Sequence, residues 1–308
     1  MKAVKRKRLR FSDILRRDHQ LYLMMIPVVV YLFIFAYIPI YGVQIAFRDF
    51  NAADGITGSP WVGFQNFTRF FNSFQFWNIL KNTLVLSLYG LIAGFPIPIL
   101  LALMVTQVRR EGFKKFVQTV TYAPHFISEV VVVGMLFLFL SPTSGIVNIG
   151  LGKLGVQAVN FMAEPSMYKH LYVWSGVWQN MGWSSIIYIA ALSSVSPELY
   201  EAARIDGASK FQQICHIDFP SILPTAMILL IMNAGSIMNQ GAQKAYLMQT
   251  GTTAASQEII ATYVYKVGLI QNQFSYSSAI GLFNNLINII LLVTVNTISR
   301  KISDNSLW

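Results

Sequence analysis

The chain has 308 residues, of which 54% are apolar and only 12% are charged, and its mean hydropathy is +0.50. Soluble domains carry about 25% charged residues, so this composition excludes an ordinary soluble enzyme or binding module. The formal net charge of +10 does not by itself indicate an acidic ligand, because topology explains it, as shown below.

Apolar residues occur in blocks of about 20, long enough to cross a hydrocarbon core as a helix. Helices are the expected form, because backbone polar groups in lipid must be satisfied within the segment. We therefore predict an all-α, polytopic membrane protein with a basic tail (1–21), a six-span domain (22–300) and a C-terminal tail (301–308). The six predicted transmembrane helices are Tyr22–Ala46, Asn82–Thr106, Val117–Leu140, Leu171–Ser194, Ser221–Gln240 and Ser277–Ile298.

A basic cluster, Lys5 to Arg8, precedes the first span. A signal peptide would have a shorter apolar run and a small-residue cleavage site, so we expect a retained span. A nucleic-acid-binding arm is another interpretation, but such clusters more often set orientation and contact anionic lipid. With the N-terminus inside, 16 of the 23 Lys and Arg lie in inner segments and 7 in outer segments. The positive-inside rule therefore places both termini and residues 195–221 in the cytoplasm.

Three features along the chain predict local structure. Gly94, Pro96 and Pro98 interrupt the second span, which predicts a kink. The first outer segment is rich in aromatic residues, and we interpret it as an interfacial belt rather than a partner surface. The last outer segment is predicted to contain a short helix around Glu258–Val267, ended by Gly268.

No motif for ATP binding or catalysis is found in the sequence. Gly152-Lys153 resembles the end of a phosphate-binding loop, but Val147 and Leu154 replace its first glycine and its Ser/Thr. The four histidines are scattered, and the single cysteine, Cys215, excludes an intrachain disulfide and a cysteine metal site. We expect Cys215 to be a small packed residue. We predict no catalytic residue, metal or cofactor on this chain, so a pump would need its motor on another chain.

A polar island lies between the fourth and fifth spans. Ser196-Pro197-Glu198 predicts a helix start with an acid in the first turn. Glu201 can make a charge-assisted contact with a cationic partner, and Gly207 permits a turn or a tight contact. A solvated cytoplasmic helix-turn is the alternative interpretation. The island is Glu201-Ala202-Ala203-Arg204-Ile205-Asp206-Gly207, followed by Ile217, Pro220 and Pro224.

This spacing resembles the EAA loop of binding-protein-dependent ABC importer permeases, which reads E-A-A, three residues, Gly, nine residues and I-x-L-P. Phe219 stands where the family usually has Leu. The form EAARIDGAS is most similar to the carbohydrate branch, and in particular to permeases for oligosaccharides such as alginate- or pectin-derived fragments. The matching positions are Glu201, Ala202, Ala203, Asp206, Gly207, Ile217 and Pro220.

The resemblance implies the type I importer fold, with an EAA coupling loop at 195–221, and a division of labour among several chains. A second homologous permease subunit would face this one. Two cytoplasmic ABC ATPase subunits would receive the loops as coupling helices and would bind ATP and Mg. An extracytoplasmic solute-binding protein would deliver the substrate. We expect a multi-pass protein of the bacterial cell membrane, surrounded by lipid, with no nucleic-acid partner.

Polar residues within the spans are costly in lipid and usually face a cavity or another helix. Amides suit hydroxyl-rich ligands, and tryptophans offer flat faces for sugar rings. The alternative is hydrogen bonding between helices, with tryptophans at the interface. The predicted substrate path comprises Trp178, Gln179, Asn180, Trp183, Asn233, Ser236, Asn239, Gln240, Asn284 and Asn288.

Glu129 is the only acid well placed within a predicted span. A proton or cation site there would suit a rival function, a self-sufficient secondary transporter or channel. We expect Glu129 instead to pair with a neighbour or to lie near the cytoplasmic edge. The absence of an internal repeat counts against that rival, and a membrane-embedded enzyme would need a catalytic set that the sequence lacks.

Overall fold

The computed structural model describes residues 18–239, 241–251 and 253–302, so most of both predicted tails lies outside it. This part of the chain is helical, with one isolated bridge between Arg48 and Trp61. Segments of 3-10 helix, which is wound more tightly than an α-helix, occur at Ile38–Phe47 and Ala123–Phe126. Segments of π-helix, which is wound more widely, occur at Phe33–Tyr37, Ile214–Asp218 and Lys266–Ile270. The α-helices are α1 (His19–Leu32), α2 (Gly55–Gly58), α3 (Gln65–Phe71), α4 (Phe76–Gly94), α5 (Pro96–Thr106), α6 (Glu111–Tyr122), α7 (Glu129–Phe139), α8 (Ile146–Lys153), α9 (Pro165–Ser193), α10 (Pro197–Ile205), α11 (Lys210–Gln213), α12 (Phe219–Gly235), α13 (Ala242–Met248), α14 (Ala254–Gln257), α15 (Ile260–Tyr265) and α16 (Phe274–Ile302).

Four helical segments of the described chain are long and apolar enough to cross a membrane: His19–Phe47, Phe76–Thr106, Lys210–Gly235 and Phe274–Lys301. The pair Glu111–Phe126 and Glu129–Phe139 adds a fifth if it is counted as one span. The 29-residue α9 is long enough, since a helix rises about 1.5 Å per residue, but its Trp, Gln and Asn residues make it more polar. The all-α membrane architecture is therefore confirmed, while the predicted six spans are reached only if the bent pair and α9 both cross.

The predicted third span, Val117–Leu140, is wrong as a continuous helix, because α6 with its following turn and α7 are bent by 99°. Pro124 lies in that turn, Ile127 has an extended backbone, and the Ser128 hydroxyl caps α7 by accepting a bond from the Val131 backbone N–H at 3.4 Å. The Gln179 side-chain amide of α9 donates to the freed Ile127 carbonyl at 2.7 Å. The break is thus stabilised by a partner for the backbone group that it exposes.

Two predicted helix ends are also corrected. α12 ends at Gly235, so Ser236 lies in the following turn rather than on a helical face of the fifth span. Gly268 does not end the outer helix, because the wide turn Lys266–Ile270 continues through it. The reason is packing: a Cβ at Gly268 would lie 2.6 Å from the Ser277 hydroxyl oxygen, so glycine is needed for close approach.

The long helices pack around α9, which contacts α4, α5, α6 and α12, while α16 packs on α12 and on the Ile38–Phe47 turn. One buried apolar cluster joins α5, α9 and α12 through Ala102, Leu192 and Ile222. α9 and the end of α6 approach so closely that a Cβ at Gly182 would lie 2.1 Å from the Thr121 carbonyl oxygen. By contrast, the large apolar side chains of α1 are exposed, as a surface for lipid or another subunit would be.

Candidate coupling loop and membrane cavity

The polar island contains the helix that the sequence predicts. Pro197 is the first residue of α10, and the Ser196 hydroxyl accepts a bond from the Glu198 backbone N–H at 3.4 Å, so the predicted start is confirmed. Glu201 and Ala202 are exposed, and Ala203 is half-buried. This face of α10 therefore presents a carboxylate beside small side chains, which permits close approach by a partner.

Gly207 turns the chain away from α10 in a left-handed conformation, with φ +76°. A Cβ there would meet no heavy atom within 4 Å. Glycine is therefore needed for the backbone conformation and not for a contact within this chain. Asp206 beside it is exposed, and the Ala208 N–H donates to the Ala203 carbonyl at 2.8 Å to close the helix end.

Exposed apolar side chains lie on α10 itself and on the segment that follows it. The exposed fractions are 52% for Leu199, 87% for Ile205 and 74% for Phe211. Large apolar residues clustered next to an exposed acid are typical of a protein-binding surface. Cys215 is exposed as well, so the prediction of a packed cysteine is wrong.

The end of the loop is anchored in the membrane domain by a buried carboxylate. Ile217 is half-buried and Pro220 is exposed at the start of α12, whereas Asp218 between them is 1% exposed. The Tyr200 hydroxyl of α10 donates to Asp218 Oδ1 at 2.5 Å, and the Gln107 amide donates to Asp218 Oδ2 at 2.8 Å. In the loop motif, Asp218 occupies the variable position between Ile217 and Phe219, so the motif gives no sign of this contact.

A cavity of about 530 Å³ lies between α4, α5, α7, α9 and α12. This volume is within the range of about 300–1,000 Å³ that small-molecule sites occupy. The predicted path residues that the structure brings to it are Gln179, Asn180, Asn233, Ser236 and Asn239.

The other predicted path residues lie elsewhere. Trp178 and Trp183 are exposed on α9, and Trp183 stacks on His125 with ring centroids 4.5 Å apart. The amides of Asn284 and Asn288 on α16 donate to Asn239 Oδ1 at 2.8 and 3.1 Å. They hold the segment after α12 rather than lining the cavity. Gln240 lies outside the described residues.

Two charged residues at the cavity were not assigned to it from the sequence. Lys244 of α13 is 4% exposed, and its ammonium donates to the Tyr172 carbonyl at 3.0 Å. Burial lowers the pKa of Lys244 to about 8, and the nearby Glu129 carboxylate opposes that shift. Lys244 was counted as an outer residue, and its contact with a residue 72 positions earlier leaves no local signal.

Glu129 also lines the cavity, from the first turn of α7. A Cβ built on Gly241 would lie 3.5 Å from both Glu129 Oε1 and the Tyr172 hydroxyl oxygen, so these two oxygens converge on one point. Within the described residues its carboxylate makes no ion pair, so the expected pairing is not seen. The same residues contain no group of three His, Cys, Asp or Glu able to hold a metal ion. The cavity thus offers neutral amides, one ammonium and one carboxylate.

Sequence comparison gives relatives over nearly the whole chain. Residues 94–304 match the family described as binding-protein-dependent transport system inner membrane component. The chain is 41% identical over 307 residues to the polygalacturonan/rhamnogalacturonan transport system permease protein YteP of Bacillus subtilis (strain 168), covering 100% of this chain and 95% of the relative. It is 38% identical to protein LplB of the same organism, covering 96% of this chain and 92% of the relative.

Solved structures agree with these relatives. A chain from the crystal structure of a bacterial ABC transporter involved in the import of the acidic polysaccharide alginate superposes with a TM-score of 0.88 at 40% identity, covering 95% of this chain and 99% of that chain. A bacterial alginate ABC transporter in complex with alginate pentasaccharide-bound periplasmic protein gives a TM-score of 0.89 at 38% identity, covering 97% and 100%.

Proposed function

This chain belongs to the binding-protein-dependent transport system inner membrane components, and from that premise we propose that it carries an acidic oligosaccharide through the membrane. Members of this family are the membrane-spanning, non-enzymatic permeases of ABC importers. The substrate of this chain and the way in which it engages its partner subunits are the proposed parts.

The observation that carries the substrate proposal is the cavity lined by Gln179, Asn180, Asn233 and Asn239. Side-chain amides donate and accept hydrogen bonds, so they match the hydroxyl groups of a sugar without demanding a charge.

The acidic character of the substrate is supported by Lys244. Its ammonium is the cation among the residues that line the cavity in the described chain, and it lies 5.0 Å above the Tyr172 ring. An ammonium in a sheltered site attracts a sugar carboxylate more strongly than it would in water. The Glu129 carboxylate lines the same cavity and opposes this attraction, so the proposal requires that the sugar carboxylate lies closer to Lys244 than to Glu129. The names of the relatives point the same way, since one transports polygalacturonan and rhamnogalacturonan, and another imports alginate.

We propose further that the exposed face of α10 docks on an ATPase subunit. Glu201 supplies a charge, Ala202 permits close approach, and Ile205 supplies apolar area. Two such ATPases would bind ATP and Mg, while a second homologous permease would complete the transport pathway. Closure of the ATPases would draw the two coupling helices together and turn the cavity outward as a rigid-body movement.

The test is uptake by the purified complex in proteoliposomes, supplied with its binding protein and loaded with ATP. Oligogalacturonate uptake should require both ATP and the binding protein. Uptake driven by an ion gradient without ATP would instead favour the secondary transporter, with Glu129 as its candidate proton or cation site.

The Lys244→Met variant tests the acidic substrate separately. It keeps a long apolar stem and removes the charge, so it should lower oligogalacturonate uptake by about tenfold, the scale of one lost charge-assisted bond. The exposed Lys153→Met in the outer segment is the matched control. Equal uptake by both variants would contradict recognition of the sugar carboxylate at Lys244.

A further inference from the structure

We propose that Asp218 is a positioning residue that links the coupling helix α10 to the cavity-lining helices. This inference rests on the proposed function, because it concerns how movement of α10 reaches the transport pathway. It assigns a task to a residue that the loop motif leaves variable.

Asp218 is a buried carboxylate that is held by two hydrogen bonds. Asp218 is 1% exposed, and each of its two carboxylate oxygens accepts one bond, from Tyr200 and from Gln107. Within the described residues no cation pairs with it, so these two donors are its main compensation for burial. Taking away one partner of a buried charge is costly, because the charge then stays without solvation. The two bonds are therefore hard to break while the protein is folded.

The Tyr200 phenol donates one of these two bonds. Burial and the hydrogen bond to Asp218 raise the pKa of the Tyr200 phenol above its ordinary value of 10. A phenol with the ordinary pKa is already protonated at physiological pH, and the raised pKa extends this range to more alkaline solution, so Tyr200 remains a donor.

Three segments of the chain meet at Asp218. Tyr200 is next to the exposed Glu201 on α10, so it moves with the proposed docking face. Asp218 directly precedes α12, whose other end carries the cavity residue Asn233. A displacement of α10 would therefore move α12, which lines the cavity.

Gln107 extends the same link to a second wall of the cavity. It directly follows α5, which carries the cavity residue Pro98, and its backbone carbonyl accepts a bond from the Lys210 ammonium at 3.4 Å. α5 and α12 are therefore both held to α10 through one carboxylate. Because packed helices move as rigid units, both walls would shift together when α10 is pulled.

The experiment measures sugar transported per ATP hydrolysed by the purified complex in proteoliposomes. Asp218→Ala removes both bonds, and Tyr200→Phe removes one without changing the shape of the side chain. We expect Tyr200→Phe, which removes one bond to the carboxylate, to lower the ratio several-fold, and Asp218→Ala, which removes both bonds, to lower it by about tenfold. ATP hydrolysis and co-purification of the subunits should persist.

Three further variants separate linkage from a merely structural role. Asp218→Asn accepts the Tyr200 bond and can pair with Gln107 once that amide flips, so it should restore most of the ratio. Tyr200→Phe should cause no further loss in the Asp218→Ala background, because the Tyr200–Asp218 hydrogen bond is already absent there. Glu111→Gln removes an exposed carboxylate from the start of α6, outside the proposed docking face, and should leave the ratio unchanged.

The outcomes divide cleanly. Failure of the unmodified complex to transport an oligosaccharide would overturn the proposed function, and the linkage with it. Normal transport together with unchanged ratios in Tyr200→Phe and Asp218→Ala would overturn the linkage alone. So would a proportional loss of transport, hydrolysis and assembly, or additive effects of the two changes.

Discussion

Gly207 and Gly155 adopt nearly the same left-handed conformation in different parts of the chain, with φ +76° and +79°. A Cβ at either position would meet no atom within 4 Å. The two glycines therefore have the same backbone requirement, but only Gly207 lies beside the exposed face of α10. The same substitution at both positions therefore distinguishes the effect of backbone strain from the effect of lost docking.

We expect Gly207→Asp to abolish uptake while leaving membrane insertion intact, because the new carboxylate would obstruct the ATPase groove. Gly155→Asp brings the same strain, about 1–2 kcal/mol, to the outer segment and should transport normally. The measurement is uptake together with co-purification of the ATPase subunit. Normal ATPase recovery with Gly207→Asp would count against docking at this turn.

At the scale of elements, the bend between α6 and α7 is held by its neighbours. Gln179 satisfies the Ile127 carbonyl, and Gly182, less than one turn along α9, lets α6 pack directly on the helix backbone. The bent pair α6 and α7 therefore packs against the straight helix α9 through the Gln179 amide and the absence of a side chain at Gly182. The apolar sequence of 117–140 gives no sign of either contact.

Gly182→Ala should destabilise the protein, because the new methyl group would lie 2.1 Å from the Thr121 carbonyl oxygen and 2.4 Å from its carbon. Both obstructing atoms belong to the backbone, so α6 and α9 must separate, at a cost of about 1–3 kcal/mol. Gly134→Ala in α7 meets nothing within 4 Å and should be neutral or stabilising. Thermal unfolding of the two variants in detergent checks this, and equal midpoints would contradict the close crossing.

Local patterns predicted the parts of the molecule that local chemistry determines. Ser196-Pro197 predicts the start of α10 because a hydroxyl and a fixed φ act within one turn. The transmembrane helices were predicted from continuous apolar blocks, which are also a local feature of the sequence. Pro124 is a local signal for a break in the third span that the predicted continuous helix did not use, whereas Gln179, which satisfies the Ile127 carbonyl, lies 52 residues away and has no local signal. Asn284 and Asn288 are four residues apart in the predicted sixth span and so share one helical face, but nothing local indicates that Asn239 is their shared partner.

At the scale of the whole molecule, the distribution of Lys and Arg predicts an orientation that places the proposed docking face of α10 in the cytoplasm. The inner segments predicted from the Lys and Arg counts include α10 and the exposed Cys215. Because Cys215 is the single cysteine of the chain, its accessibility reports the side of the membrane on which the whole loop lies.

A membrane-impermeant maleimide should label Cys215 in inside-out vesicles and spare it in intact cells. The matched control is Ala53→Cys in a Cys215→Ser background, since Ala53 is exposed in the first outer segment and should react from outside. Labelling of Cys215 in intact cells would reverse the orientation and exclude α10 as an ATPase-binding helix.

The polarity of α9 bears on how the chain is made. Its Trp, Gln and Asn residues leave it outside the set of helices that would cross lipid on composition alone, yet it packs against α4, α5 and α12. A nascent segment of this kind is not retained in the bilayer by its own side chains. We expect α4 and α5, which are synthesised first, to hold α9 in place until α12 emerges more than 20 residues later. Insertion of α9 should therefore depend on the helices that it packs against and not on its own composition.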